Sequence, residues 1–163
     1  MSQQAIMNRV LGIDPGYDRL GLAVLEGNIS KPVHIWSECI EIPKGRPEER
    51  LAAVFREVSD VVKIYAPDRA AIETLFFSTN KKTALGVAEA RGAVCSALGT
   101  NSIPVEEFMP VQVKNAVTGY GRADKKAVEQ MVLRLVSLPA KPRRDDEFDA
   151  IAIALCGLST YRP

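Results

Sequence analysis

Two apolar segments of this chain each run into a single carboxylate. In "VLGIDPG" it is Asp14, followed at once by Pro15 and Gly16, and in "RAAIE" it is Glu73. A third segment, "RRDDEFDAIAIALCGL", sets Asp146 and Asp149 three apart ahead of a nearly unbroken apolar run. A carboxylate at the edge of a core is costly to desolvate unless cations or hydrogen-bond donors answer it. Taken alone, Asp14 admits three readings: an Asx-type turn in a hairpin, a hairpin turn that approaches a nucleotide phosphate, or a metal ligand. Glu73 alone reads equally well as a surface charge at a strand end. Asp145 or Asp146 could serve as a helix N-cap with an acidic first turn. That explanation suits Asp149 less, because the following "AIAIAL" is apolar almost all round and implies a helix buried against a sheet with Asp149 at its mouth.

Together the four acids point to one chemistry. If the strands carrying Asp14 and Glu73 lie side by side, the two anions meet at one edge and repel in a partly dry site. Asp146 and Asp149 would share one face of a helix's first turn, where the N-terminal dipole favours anions. Hard oxygen ligands suit Mg²⁺ or Mn²⁺, which keep several waters and bind substrate phosphate, whereas zinc would want His or Cys. His34, the sole histidine, falls in a strand far from all four acids and reads as structural or surface. No Ser-His or Cys-His pair stands out. The chemistry consistent with the acids is metal-assisted hydrolysis, with two ions roughly 3.5 to 4 Å apart activating water and stabilising the leaving 3′ oxygen of a phosphodiester. On this reading Asp14 ends its strand because it holds metal.

These residues need elements to position them. Residues 10–13, 20–27 and 33–42 are apolar strand segments separated by turn residues, which predicts an antiparallel meander. Residues 46–68 change period: Leu51, Val54, Phe55, Val58, Val61, Val62 and Tyr65 follow helical spacing, with Pro47 and two glutamates opening the helix and Pro67 closing it. Residues 68–77 return to a strand ending near Glu73, 81–99 form a helix rich in small residues, and 102–108 a fifth strand. The remainder is helical: a short turn over 110–117, an amphipathic helix over 124–136 and a terminal helix over 146–158. This order predicts an α/β protein with a mixed five-stranded sheet flanked by helices, the arrangement of the ribonuclease H-like fold. Kinases, chaperone ATPases, integrases and nucleases share that arrangement, so fold alone does not decide function.

The 163 residues fit one domain spanning 1–163, since no Pro/Gly/Ser-rich stretch divides them. With 47% hydrophobic and 25% charged residues the chain has the composition of a globular protein, and disorder is not indicated. No apolar run approaches the roughly 20 residues of a membrane span, and the start lacks signal-peptide order, which predicts a cytoplasmic protein. Cys39, Cys95 and Cys156 match neither a disulfide framework nor a zinc site and read as buried thiols. A net charge of +1 carries no global nucleic-acid signature, yet "NKK" (80–82), "GRADKK" (121–126) and "KPRR" (141–144) are local basic clusters. Each alone reads as a solvated loop.

The motifs in order, "VLGIDPG" with a later Gly21, "AIETLFF", "ALGVAEARG", "PVEEFMPVQVKNAVTGYGRADKKAVEQMV" and "DEFDAIAIAL", resemble the bacterial RuvC-type Holliday junction resolvases over nearly the whole chain. The resemblance implies a homodimeric, Mg²⁺-dependent crossover junction endodeoxyribonuclease of recombination and repair. Such an enzyme recognises four-way DNA junctions by shape and nicks two strands of like polarity symmetrically. It implies that Asp14, Glu73, Asp146 and Asp149 are the catalytic metal-binding acids, with Mn²⁺ able to substitute and two ions per site. It implies that Phe76, or Phe77 in its place, stacks on a base at the crossover. Lys114 and Lys125 match basic positions that pair with the DNA backbone, and Arg122 and Lys126 lie near them. A second copy of the chain, joined through the helix around 84–97, and a branch-migration motor complex are the partners implied. The sequence departs from the usual pattern in "GVAEARG", in "YDRL" after Gly16 and in "RRDDEFDA", without removing a carboxylate.

Two rivals are weaker, and a third is not separated by the sequence. Another nuclease of the same fold would not need the "VKNAVTGYGRADKK" segment. A nucleotide-binding module of the actin and sugar-kinase class normally needs two such domains and a second glycine-rich turn. A protein that binds junctions without cutting them would carry the same sequence features.

Overall fold

A computed structural model of the chain describes residues 8–75 and 81–160, and the side chains of Lys81 and Lys82 fall outside that description. β1 (Arg9–Pro15), β2 (Arg19–Asn28) and β3 (Lys31–Glu41) form the expected meander, followed by α1 (Pro47–Tyr65), β4 (Arg69–Glu73) and α2 (Lys81–Thr100). β5 (Val105–Phe108) precedes three helices, α3 (Pro110–Thr118), α4 (Lys125–Leu135) and α5 (Asp145–Ser159). The sheet order is β3-β2-β1-β4-β5, antiparallel through the meander and parallel from β1 to β4 and from β4 to β5.

Period-two alternation along β1 and β2 divides the core. Leu11, Ile13, Leu20, Leu22 and Val24 face α1 and α2. Val10, Ala23 and Leu25 face α5 and the helices beside it. On that second face α5 comes unusually close, because a Cβ on Gly12 would lie 2.2 Å from the Ala150 carbonyl oxygen, and one on Gly21 2.0 Å from that of Asp146. Two glycines on neighbouring strands therefore let the helix backbone rest directly on the sheet.

Two boundaries differ from the sequence reading. β1 continues through Asp14 to Pro15, since Asp14 still pairs with Gly21 across the meander, so the carboxylate sits inside the last paired step. Residues 110–118 form a nine-residue helix rather than a short turn. Pro110 supplies a preformed first helical position, and Gly119 closes the helix in the left-handed conformation with φ 75°.

Candidate active site

The register of the sheet brings the first two acids together. β1 and β4 run parallel with Ile13 opposite Ile72, so Asp14 and Glu73 follow one step further at the same edge. Both side chains emerge on the α5 face, in phase with Gly12 and Ala71. α5 adds Asp146 and Asp149 from its first two turns. It begins at Asp145 with Arg144 as N-cap residue and no side-chain cap, so neither Asp145 nor Asp146 is the cap that sequence allows.

The electrostatics follow from this crowding. Asp14 is pushed up to about 7 by desolvation first and then by the charges of Asp149, Asp146 and Glu73, with Lys125 opposing them. Glu73 is raised by desolvation and by Asp149, with Lys114 opposing. Asp149 is raised by burial, against which Lys125 acts. The Lys125 ammonium lies 3.3 Å from Asp149 Oδ2 and 3.2 Å from Asp145 Oδ2. Burial disfavours the charge on Lys125, yet Asp149 and Asp145 outweigh it and hold its pKa above the usual lysine value.

Glu73, Lys114, Lys125 and Asp149 line one cleft of about 320 Å³ between α3, α4 and α5. Asp146 flanks Asp14 from the other side. Its Oδ2 lies 3.3 Å from Arg19 Nε and accepts from Cys39 Sγ at 3.7 Å. Among the described residues no three acidic, His or Cys side chains are already drawn together as a metal cage. The donor set nevertheless fits a hard divalent cation. It is all carboxylate, it surrounds a desolvated Asp14 with three further anions, and Mg²⁺ needs only one or two carboxylates beside waters and substrate phosphate.

The basic residues separate into distinct settings. Lys114 and Lys125 stand at the carboxylates. Lys126 is exposed on the next position of α4, and Arg122 opens onto a different groove with Tyr120, Asp124 and Arg134. Phe76 and Phe77 lie outside the described residues, as does Asn80 of the "NKK" cluster. "KPRR" is a loop solvated only in part: Lys141, Pro142 and Arg144 are exposed, while the Arg143 side chain turns inward. Lys141 and Arg143 both reach Glu147 Oε1 at 3.1 Å, and the same oxygen accepts from Ser37 Oγ at 2.6 Å. Arg143 and Glu147 are each only 4% exposed in their side chains. His34 Nε2 meets Ser37 Oγ at 2.8 Å, so the histidine is structural as expected. This network ties the first turn of α5 to β3, and the charge alternation of "KPRRDDE" was its only trace in the sequence. Of the cysteines, Cys156 alone is buried, while Cys39 and Cys95 are half-buried, which corrects the expectation for those two.

Residues 10–157 match the family described as Crossover junction endodeoxyribonuclease RuvC. This chain belongs to the RuvC family. The RuvC of Thermotoga maritima is 44% identical over 149 residues, covering 91% of this chain and 89% of its own. The structure of Thermus thermophilus RuvC in complex with Holliday junction substrate superposes with a TM-score of 0.85 at 35% identity, covering 91% of both chains. The yeast mitochondrial Holliday junction resolvase Ydc2 shares the fold, with a TM-score of 0.70 at 13% identity, covering 93% of this chain and 78% of its own. Within a RuvC chain, the crowding of three anions on Asp14 falls at the sheet edge where β1 and β4 end together. No described helix is long and apolar enough to cross a membrane.

Proposed function

We propose that this chain is a divalent-metal-dependent endonuclease that resolves four-way DNA junctions. The observation that carries this reading is the convergence of Asp149, Asp146 and Glu73 on Asp14, which leaves a desolvated carboxylate whose negative surroundings call for a cation. Asp14, Glu73 and Asp149 would hold the metal, with Asp146 completing the group from the Arg19 side. When bound, Mg²⁺ or Mn²⁺, two ions per site, would activate the attacking water and stabilise the leaving 3′ oxygen.

The chain's own residues do the rest. Lys125 opposes the rise that burial imposes on the Asp149 pKa and, with Lys114, offers cations to backbone phosphates beside the cleft. Arg122 and Lys126 extend that basic face outward, and Phe76 or Phe77 supplies a ring on which an unpaired base stacks. Gly12 and Gly21 fix the height of α5 over the sheet, and so the placement of Asp146 and Asp149.

A four-way junction offers two equivalent strands, and a two-fold dimer would set one site on each. α2 is the face proposed for it. Ala90, Val94, Ala97 and Leu98 are buried inward, while Leu85 is 64% exposed and Gly92 opens onto free space. The one domain acts in the cytoplasm alongside a branch-migration motor. The test is incubation of the full-length chain with a mobile four-way junction and a matched duplex, with and without Mg²⁺. Paired nicks of like polarity confined to the junction and to the metal-containing reaction are expected. Equal cutting of the duplex, or cutting in excess chelator, would overturn the proposal.

A further inference from the structure

Across Asp14 from Lys114 and Lys125, a second groove opens where β2 begins and β3 ends. Arg19, Lys44 and Arg144 line it together with Asp18 and Glu41. Arg19 reaches into the carboxylate group itself, 3.3 Å from Asp146, and its side chain is still 48% exposed. Arg144, at the entry to α5, pairs with Glu41 at 2.5 Å, with side chains 52% and 66% exposed. We infer that this groove is a second phosphate-contact tract, which takes the backbone of the cut strand as it leaves the carboxylates on the β2–β3 side. The inference rests on the proposed function and extends it to residues outside the basic set Lys114, Arg122, Lys125 and Lys126.

Three observations support it. A strand whose reacting phosphate lies over Asp14 carries anionic phosphates in both directions, and Lys114 and Lys125 answer only one of them. Neighbouring strands are roughly 4.8 Å apart, so from β4 to β3 the groove and cleft together span roughly 14 Å, room for several phosphates of one strand. The local acids do not cancel the tract. Asp18 is answered from beneath by Arg50 at 2.6 Å, which is itself held over the Tyr17 ring. The exposed Arg144–Glu41 pair is worth little in water, so a phosphate can replace Glu41 as the arginine's partner through charge-assisted, bidentate hydrogen bonds.

The experiment measures junction affinity of the full-length chain in chelator, so that no strand is cut, across a salt series. Arg144→Ala and Lys44→Ala should each lower the slope of log affinity against log salt by about one unit per lost contact. Arg19→Ala should do the same, but it also frees Asp146 and is read second. Lys63→Ala, remote on α1, serves as the control for net charge. Glu41→Gln should tighten binding, and Arg144→Ala in that background should remove the gain. If Arg144→Ala and Lys44→Ala keep the parental slope while Lys125→Ala lowers it, the tract is wrong and the proposed function stands. If the parent itself shows no preference for the junction over duplex, the proposed function falls and the tract with it.

Discussion

The carbonyl oxygen of Asp146 lies 2.0 Å from where a Cβ on Gly21 would have to sit, and Gly21 is the residue paired with Asp14 across β1 and β2. One glycine thus sets the distance between the carboxylate on the sheet and those on α5. Gly21→Ala must push the first turn of α5 away, since both the obstructing atoms and the strand are backbone. We expect a loss of about 3 kcal/mol or more in urea unfolding, at the upper end of overpacking costs. Cleavage should be lost along with it. Parental stability in that variant would show that α5 does not rest on β2 as described.

Asp14 carries a stability cost that a chelated sample exposes. Its pKa rises from an ordinary aspartate's 3.8 to about 7 in the folded chain. Between those values the folded state binds more protons than the unfolded one, so stability falls as pH rises through that window. Asp14→Asn removes the cost. In chelator at pH 8 the variant should be more stable than the parent, by at most about 4 kcal/mol, and the difference should shrink towards zero as pH falls to about 4. Melting curves at several pH values measure it. A pH-independent difference would contradict the crowding of anions on Asp14.

Lys125 lowers the pKa of both Asp14 and Asp149. Removing its charge with Lys125→Met should therefore raise both and move the rising limb of the cleavage pH profile to higher pH. Rates measured from pH 6 to 9 at subsaturating Mg²⁺, where protons and metal compete for the same carboxylates, would register the shift. An unmoved limb with a uniformly lower rate would assign Lys125 to DNA contact alone.

Glu147 holds two cations on one oxygen in the interior. Glu147→Leu leaves Arg143 buried without its partner, which should cost about 3–5 kcal/mol. Adding Arg143→Met should recover most of that loss, because Lys141 is 41% exposed and can turn to solvent. Chemical denaturation of the single and double variants tests this. A double variant no more stable than the single one would contradict the pairing.

Much of this was legible in sequence for physical reasons. Strand and helix periods differ, so Leu51 to Tyr65 announced α1, and Asp14 and Glu73 stood out because an apolar strand rarely carries an acid at its buried end. Asp149 was legible through the apolar run behind it. The contacts of Arg19 and Glu147 were not, because each depends on which strand the start of α5 meets. Glu147 looks like one more acid in "DDE", and only tertiary pairing with Ser37, 110 residues away, distinguishes it from its exposed neighbour Asp145. The basic cluster "KPRR" concealed a similar division, since Arg143 turns inward to Glu147 while Arg144 stays at the surface against Glu41.

The central claim is that the four carboxylates cut while the basic residues hold. Its most direct test is Asp14→Asn, assayed for junction binding in Ca²⁺ and for junction cleavage in Mg²⁺ beside the parent. The account predicts binding within about two-fold of the parent and cleavage reduced by about 10²–10³-fold or more, on the order of the effects seen when a charge-stabilising catalytic group is removed. Cleavage by Asp14→Asn at a rate near the parent's, with binding intact, would contradict it.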